Sequence, residues 1–287
     1  MSAHASAAES RISVRDIRHR KGGAPLVCLT AYSAPMAKLL DPHCDILLVG
    51  DSVGMVLHGL PSTVGVTLDM MIMHGQAVMR GSRRAMVIVD MPFGSCEGAP
   101  EAAFVNAVRV LQETGAQAVK IECAPAVIGN VRYLVDRGVP VMGHVGLRPQ
   151  SVLTEGGFRA RGREEAERKQ VLSEMRGAVE AGVFALVVEG VAEGLASEIT
   201  AECAVPTIGI GASAACDGQI LVTEDMLGLF ETSPRFVRRY SDLRGLVVSA
   251  VERYSADVRS RRFPGSGETY FSSRRRSGNA LMGIPAG

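Results

Sequence analysis

Met86-Val87-Ile88-Val89, closed by Asp90, is followed by an amphipathic stretch from Ala102 to Glu113 that opens at Pro100-Glu101. Ala118-Val119-Lys120-Ile121 comes next, closed by Glu122. Each short run is apolar, save for Lys120, and rich in β-branched residues, the pattern of a strand buried on both faces. The stretch between them has the length and periodicity of a helix. Strand, helix and strand in this order make a crossover unit, because parallel neighbours cannot be joined by a tight turn.

Outward from this unit the same rhythm repeats. The other apolar runs are Leu26–Leu29, Ile46–Val49, Val139–Met142, Ala185–Val188, Thr207–Ile210 and Gln219–Val222. The amphipathic stretches Leu68–Met79, Glu164–Ala181 and Ala192–Cys203 fill intervals between them. Eight such units predict an α/β chain closed into a (β/α)₈ TIM barrel, a single domain, and 287 residues suit that fold. The interval Gly211–Gly218 is too short for a helix and predicts a loop or one turn. At the start, Ser13–Lys21 predicts a short helix, with Ser13 as N-cap, Asp16 completing a capping box and Gly22-Gly23 ending it. Residues 1–12 are expected to be disordered, 13–259 to form the barrel with a closing helix at Asp242–Arg259, and 260–287 to be an extended, partly mobile tail. Arg274–Arg276 in that tail reads as a solvated charge run.

Composition excludes several classes of function. Apolar residues make up 47% and charged residues 21%, which supports a buried core. The net charge of +1, the 5% aromatic content and the lack of tryptophan give no basis for nucleic-acid binding. No apolar run is long enough to span a bilayer, and the polar, basic first residues lack a signal-peptide core. The six cysteines (Cys28, Cys44, Cys96, Cys123, Cys203 and Cys216) form no C-x-x-C pair and read as reduced buried thiols. A cytoplasmic protein with no membrane or nucleic-acid partner is expected.

The informative residues stand where the apolar runs end. Gly50-Asp51-Ser52 follows the second run, Asp90 the third, Glu122 the fourth (with Lys120 inside it), Gly143-His144 the fifth, and Glu189-Gly190 the sixth. In a parallel barrel these ends converge on one face, where active sites of this fold sit. Taken singly, Asp51 or Asp90 reads as the N-cap of the next helix and His144 as a hydrogen-bonded structural residue. Five consecutive strands ending in titratable groups are not explained by capping.

Residue type then suggests chemistry. Asp51, Asp90 and Glu122 are hard oxygen donors joined by no second His or Cys, a set that favours Mg²⁺ over zinc. An α-keto acid chelates such an ion, which stabilises the enolate formed when the neighbouring carbon loses a proton. Glu189, across the ring of strands, is placed to be the base. Lys120 and His144 offer donors to the keto acid's oxygens, and Ser52 to its carboxylate.

At this point the chain resembles a known family. Thr30-Ala31-Tyr32, Leu48 to Met55, Asp90-Met91-Pro92-Phe93-Gly94-Ser95, Val119-Lys120-Ile121-Glu122, Gly143 to Val152, Gly156 to Arg163, Ile208 to Ala212 and Asp217 to Val222 look like ketopantoate hydroxymethyltransferase. The likeness runs in order from about residue 12 to about residue 271. It implies condensation of methylenetetrahydrofolate with α-ketoisovalerate, giving ketopantoate and tetrahydrofolate at the start of pantothenate synthesis. It implies Mg²⁺ held by Asp51 and Asp90, with Glu122 completing the site, and Glu189 as proton acceptor. Ser52 and Lys120 would bind the keto acid, with Asp51, Asp90 and His144 beside it. A barrel of the phosphoenolpyruvate mutase/isocitrate lyase superfamily and a homodecamer are also implied. Cys96, Ser213 and Cys216 depart from the family pattern on loops expected at the mouth.

Two other readings compete. A carbon–carbon lyase of the same superfamily would share the barrel and the carboxylates, but its Lys-x-Cys-Gly-His gating loop is missing here. A non-catalytic barrel predicts decay of the acid–base set, yet all seven candidate residues are present.

Overall fold

A computed structural model describes residues 10–270. The chain forms two compact units, divided after Ser241. The first unit is a closed barrel of eight parallel strands, in sequence order around the ring. These are β1 (Leu26–Thr30), β2 (Ile46–Val49), β3 (Met86–Asp90), β4 (Ala118–Glu122), β5 (Val141–Gly146), β6 (Ala185–Glu189), β7 (Thr207–Ile210) and β8 (Gly218–Leu221). β8 pairs in parallel with β1, which completes closure. The short β7–β8 interval holds turns only, as its length requires.

Successive side chains on a strand face opposite ways, and the barrel uses both sides. Leu47, Val49, Val87, Val89, Val119, Ile121, Val145, Leu186 and Val188 belong to one core cluster, with the surrounding helices. Ile46, Leu48, Met86, Ile88, Ala118, Met142, Val187 and Ile220 form another inside the barrel. Ile17, from the helix Val14–Arg18, joins this inner cluster. The inward row of β3 runs Met86, Ile88, Asp90, and those of β4, β5 and β6 run on to Lys120 and Glu122, His144, and Glu189. The candidate site residues are thus the top members of the same period-2 rows that fill the barrel.

Several boundaries differ from expectation. β3, β4 and β6 include Asp90, Glu122 and Glu189 rather than stopping before them, because the ladders continue: Asp90 pairs with Lys120 and Glu122 with His144. β5 begins at Val141, not Val139, since Pro140 has no N–H to donate, and it runs through His144 to Gly146. The first helix ends at Arg18, before the glycines, although the Ser13–Asp16 capping box is formed.

Arg11 and Ile12, expected to be disordered, are anchored: Ile12 N donates to Arg84 O, and the Arg11 guanidinium donates to Ser82 and Ala85 O. All six cysteines are buried and free. Among the described residues, no helix is long and apolar enough to cross a membrane. The second unit is built on the helix Leu243–Arg259, whose N-cap Asp242 accepts from Gly245 N. Its Tyr254 and Phe263 rings meet edge to face. Arg274–Arg276 and most of the expected tail lie outside the described residues.

Candidate active site

A cavity opens at the C-terminal ends of the strands. Its lining includes Asp51, Ser52, Asp90, Lys120, His144 and Glu189, so six of the seven predicted residues share one chamber. The seventh, Glu122, is buried just beside it, with Oε1 accepting from Gln150 N at 3.2 Å. Capping does not explain the two aspartates. Asp51 N donates to Asp90 Oδ2 at 3.0 Å, and Asp51 Oδ2 accepts from Gln150 Nε2 at 2.8 Å. The helix that follows, Val53–Val56, has Ser52 at its N-cap position without a side-chain cap bond, which leaves that hydroxyl for other work. Gly50 makes the corner possible: a Cβ there would stand 2.8 Å from Ser52 Oγ.

The charged groups form a continuous chain. Lys120 Nζ lies 3.2 Å from Asp90 Oδ2 and 3.4 Å from His144 Nδ1, and His144 Nε2 lies 3.2 Å from Glu189 Oε2. Gly146 lets β5 approach β6 at this level, with φ of +97° and room for no Cβ against Glu189 O. Burial, and then Asp90, push the Asp51 carboxyl up to about 7. Burial likewise raises Asp90 and lifts Glu122 well above the usual carboxylate range. For Lys120, burial works against the charge, but Asp90, Asp51, Glu122 and Glu189 outweigh it and hold the ammonium above its ordinary value. Burial and the Lys120 charge both lower His144, which favours the neutral ring.

The donor set fits a small hard cation. Asp90 Oδ1 is buried with no hydrogen-bond partner among the described residues, and neighbouring carboxylates that repel one another call for positive charge. Among the described residues, no three His, Cys, Asp or Glu side chains are grouped so as to hold a metal ion, so the expected trio Asp51, Asp90 and Glu122 is not assembled as one ligand set. Mg²⁺ keeps several waters and takes one or two carboxylates plus substrate oxygens, so Asp51 and Asp90 by themselves would suit it. Asp51 and Asp90 are the donors nearest to hand, and Glu122 borders them.

Two residues at the site were not singled out from the sequence. Gln150 reaches Asp51 from the loop after β5. Tyr32, fully buried, shares a 2.8 Å hydrogen bond between its hydroxyl and Ser52 Oγ. Both fall inside stretches that carried the family likeness, but nothing in the sequence indicates which distant partner each meets. Cys96, Ser213 and Cys216, expected at the mouth, do not line the cavity. Cys216 is buried near Thr200 and Gly209 at the start of β8, since the β7–β8 connection runs back down the barrel.

A parallel eight-stranded barrel with buried acids, a lysine and a histidine gathered in a cavity at its C-terminal mouth has the build of a barrel enzyme. Comparison with known proteins gives the family. The family model for ketopantoate hydroxymethyltransferase matches residues 11–266. The 3-methyl-2-oxobutanoate hydroxymethyltransferase of Phenylobacterium zucineum is 68% identical over 272 residues, covering 95% of this chain and 99% of that protein. Its namesake in Caulobacter vibrioides is 63% identical over 274 residues, covering 96% and 100%. The chain belongs to the ketopantoate hydroxymethyltransferase family. Among solved structures, phosphonopyruvate hydrolase shares the fold with a TM-score of 0.60 at 12% identity, covering 91% of this chain and 92% of that one. So does 2,3-dimethylmalate lyase, a PEP mutase/isocitrate lyase superfamily member, with 0.58 at 15%, covering 90% and 89%.

Proposed function

We propose that this chain transfers a hydroxymethyl group from methylenetetrahydrofolate to α-ketoisovalerate, giving ketopantoate and tetrahydrofolate for pantothenate synthesis. Its relatives' names support the transfer. The observation that carries the reading on this chain is a cavity whose lining is part charged and part apolar. Asp51, Ser52, Asp90, Lys120 and Glu189 give its lining charge and hydrogen-bonding groups, and Leu48, Val187, Ile210 and Ile220 give it apolar surface. A small branched α-keto acid matches both, with its oxygens toward the charges and its isopropyl group against the apolar surface.

Lys120 is a fixed cation for the keto acid's oxygens and for the negative charge that develops on them. Ser52, held by Tyr32, donates to the carboxylate. Glu189 accepts the β-proton, with His144 behind it. Mg²⁺ held by Asp51 and Asp90, with Glu122 completing the site, would add Lewis-acid polarisation of the same oxygens. The β-carbon, left with an electron pair, then forms the new bond to the one-carbon unit. Water supplies the hydroxyl oxygen; its two protons and the β-proton end on that oxygen and on the two folate nitrogens released.

Self-association, as a homodecamer, belongs to the same reading. The helix Leu243–Arg259 supports it by exposing Leu246, Val247, Val248 and Val251. Sedimentation showing only monomer at micromolar concentration would contradict it. The function itself is tested by incubating the chain with both substrates, with Mg²⁺ or with chelator, and following ketopantoate. Metal-dependent ketopantoate formation is expected, and its absence under both conditions would overturn the assignment.

A further inference from the structure

Beyond β5 the chain turns through Leu147-Arg148-Pro149-Gln150, and this turn is firmly held. Arg148 donates to Glu174 Oε1 at 3.0 Å and lies 3.6 Å from Glu155 Oε1. Pro149–Ser151 forms one 3₁₀ turn. The result aims Gln150, which is 8% exposed, across the mouth toward strands that lie far from it in sequence.

Gln150 makes three contacts there. Its Nε2 donates to Asp51 Oδ2 at 2.8 Å and to Met91 O at 3.0 Å, and its backbone N donates to Glu122 Oε1 at 3.2 Å. These partners follow β2, follow β3 and end β4. Both side-chain partners, Asp51 Oδ2 and Met91 O, are acceptors, so the NH₂ end of the amide faces them. No other residue type of this length does the same. A carboxylate would add negative charge beside Asp51 and Glu122 and donate nothing. A leucine would leave the Asp51 oxygen and the Met91 carbonyl without their donor.

We propose that Gln150 is a positioning residue that sets the spacing of the acidic groups for the divalent cation. One amide hydrogen engages Asp51 Oδ2 and leaves Oδ1 for the ion. The other anchors the peptide next to Asp90, and the backbone N–H holds Glu122 alongside. The inference rests on the Mg²⁺ reading above. Partners of this kind, which touch the ligands rather than the ion, typically change metal affinity by about 10–100-fold when removed.

Mn²⁺ binding, followed by the electron paramagnetic resonance signal of the free ion, tests this without turnover. Wild type, Asp51→Ala and Gln150→Leu are compared, each checked for thermal melting. The expected result is Mn²⁺ binding by wild type, none by Asp51→Ala, and binding weakened about 10–100-fold in Gln150→Leu. Turnover of Gln150→Leu should then recover at high metal concentration, a shift in the apparent metal constant more than in kcat. If Gln150→Leu does not fold, Gln150→Asn, one methylene too short to reach Asp51, provides the same comparison. Equal Mn²⁺ affinity in the Gln150 variant and wild type, with Asp51→Ala silent, overturns the role of Gln150. Wild type that does not bind Mn²⁺, or Asp51→Ala that binds it normally, overturns the cation reading itself.

Discussion

His144 stands between two charges, with Nδ1 3.4 Å from Lys120 Nζ and Nε2 3.2 Å from Glu189 Oε2. A lysine ammonium has only donors, so Nδ1 must accept and the ring proton of the neutral imidazole sits on Nε2, on the side of Glu189. The approach to Glu189 is oblique, and contacts of this kind tighten when substrate binds. In the proposed reaction His144 would orient the base and border the keto acid.

This arrangement separates proton transfer from binding. Glu189→Gln should stop exchange of the β-proton of α-ketoisovalerate with deuterium, an exchange that needs no folate. It should leave binding of the keto acid largely intact. His144→Leu should slow the same exchange by about 100-fold, in the range of acid–base contributions. His144→Gln, which keeps a donor near the Nε2 position, should stay closer to wild type. Proton NMR of the exchange decides; wild-type exchange in Glu189→Gln would move the base elsewhere.

Asp51 and Asp90 are buried and crowd each other. Asp51→Ala or Asp90→Ala should reduce ketopantoate formation to near background while the barrel stays folded, because neither carboxylate caps a helix. Loss of a capping aspartate would instead cost about 1 kcal/mol of stability and leave the chemistry alone. Thermal melts beside activity assays distinguish the two outcomes.

The apolar wall should set the size of substrate accepted. Ile210→Ala enlarges the apolar part of the lining and should move the kcat/KM ratio toward α-keto acids with one more methylene. A shift of roughly tenfold is expected, the lower end for a methylene in an apolar pocket. Competition between α-ketoisovalerate and its longer homologue measures it, and an unchanged ratio would remove Ile210 from the specificity wall.

Asp217 works at the opposite end of the barrel. It accepts from Thr207 N at 2.8 Å and Gly22 N at 2.8 Å, and pairs with Lys21 Nζ at 2.9 Å. Burial alone would raise its pKa, but these bonds outweigh it and hold the carboxyl below its ordinary value. The folded form therefore binds its proton less readily than the unfolded chain. Its stabilisation is present above about pH 4, the unfolded value, and is lost as pH falls through the folded one. Asp217→Asn should lower stability at neutral pH by about 1–3 kcal/mol and flatten the loss below about pH 4. Urea melts across that range check both, and identical acid limbs would reject the claim.

Much of this molecule was legible in the chain. Strands β2 and β7 have the bounds that their apolar runs give, because a run buried on both faces needs no partner to be recognised. Asp51, Asp90, Lys120, His144 and Glu189 were legible as one mouth for the same reason: parallel strands of one direction must end together. The chain could not show that β5 continues past Met142, since that extension depends on pairing with Glu122 and Glu189 on its neighbours. Nor could it show Gln150 at Asp51, 99 residues apart, or His144 with Lys120 on one side and Glu189 on the other. Local sequence determined which residues were polar and at which strand end they stood. Tertiary structure alone decided which of them touch, because hydrogen bonds and charge coupling act over a few ångströms of space, and closure of the barrel is what brings those distances about.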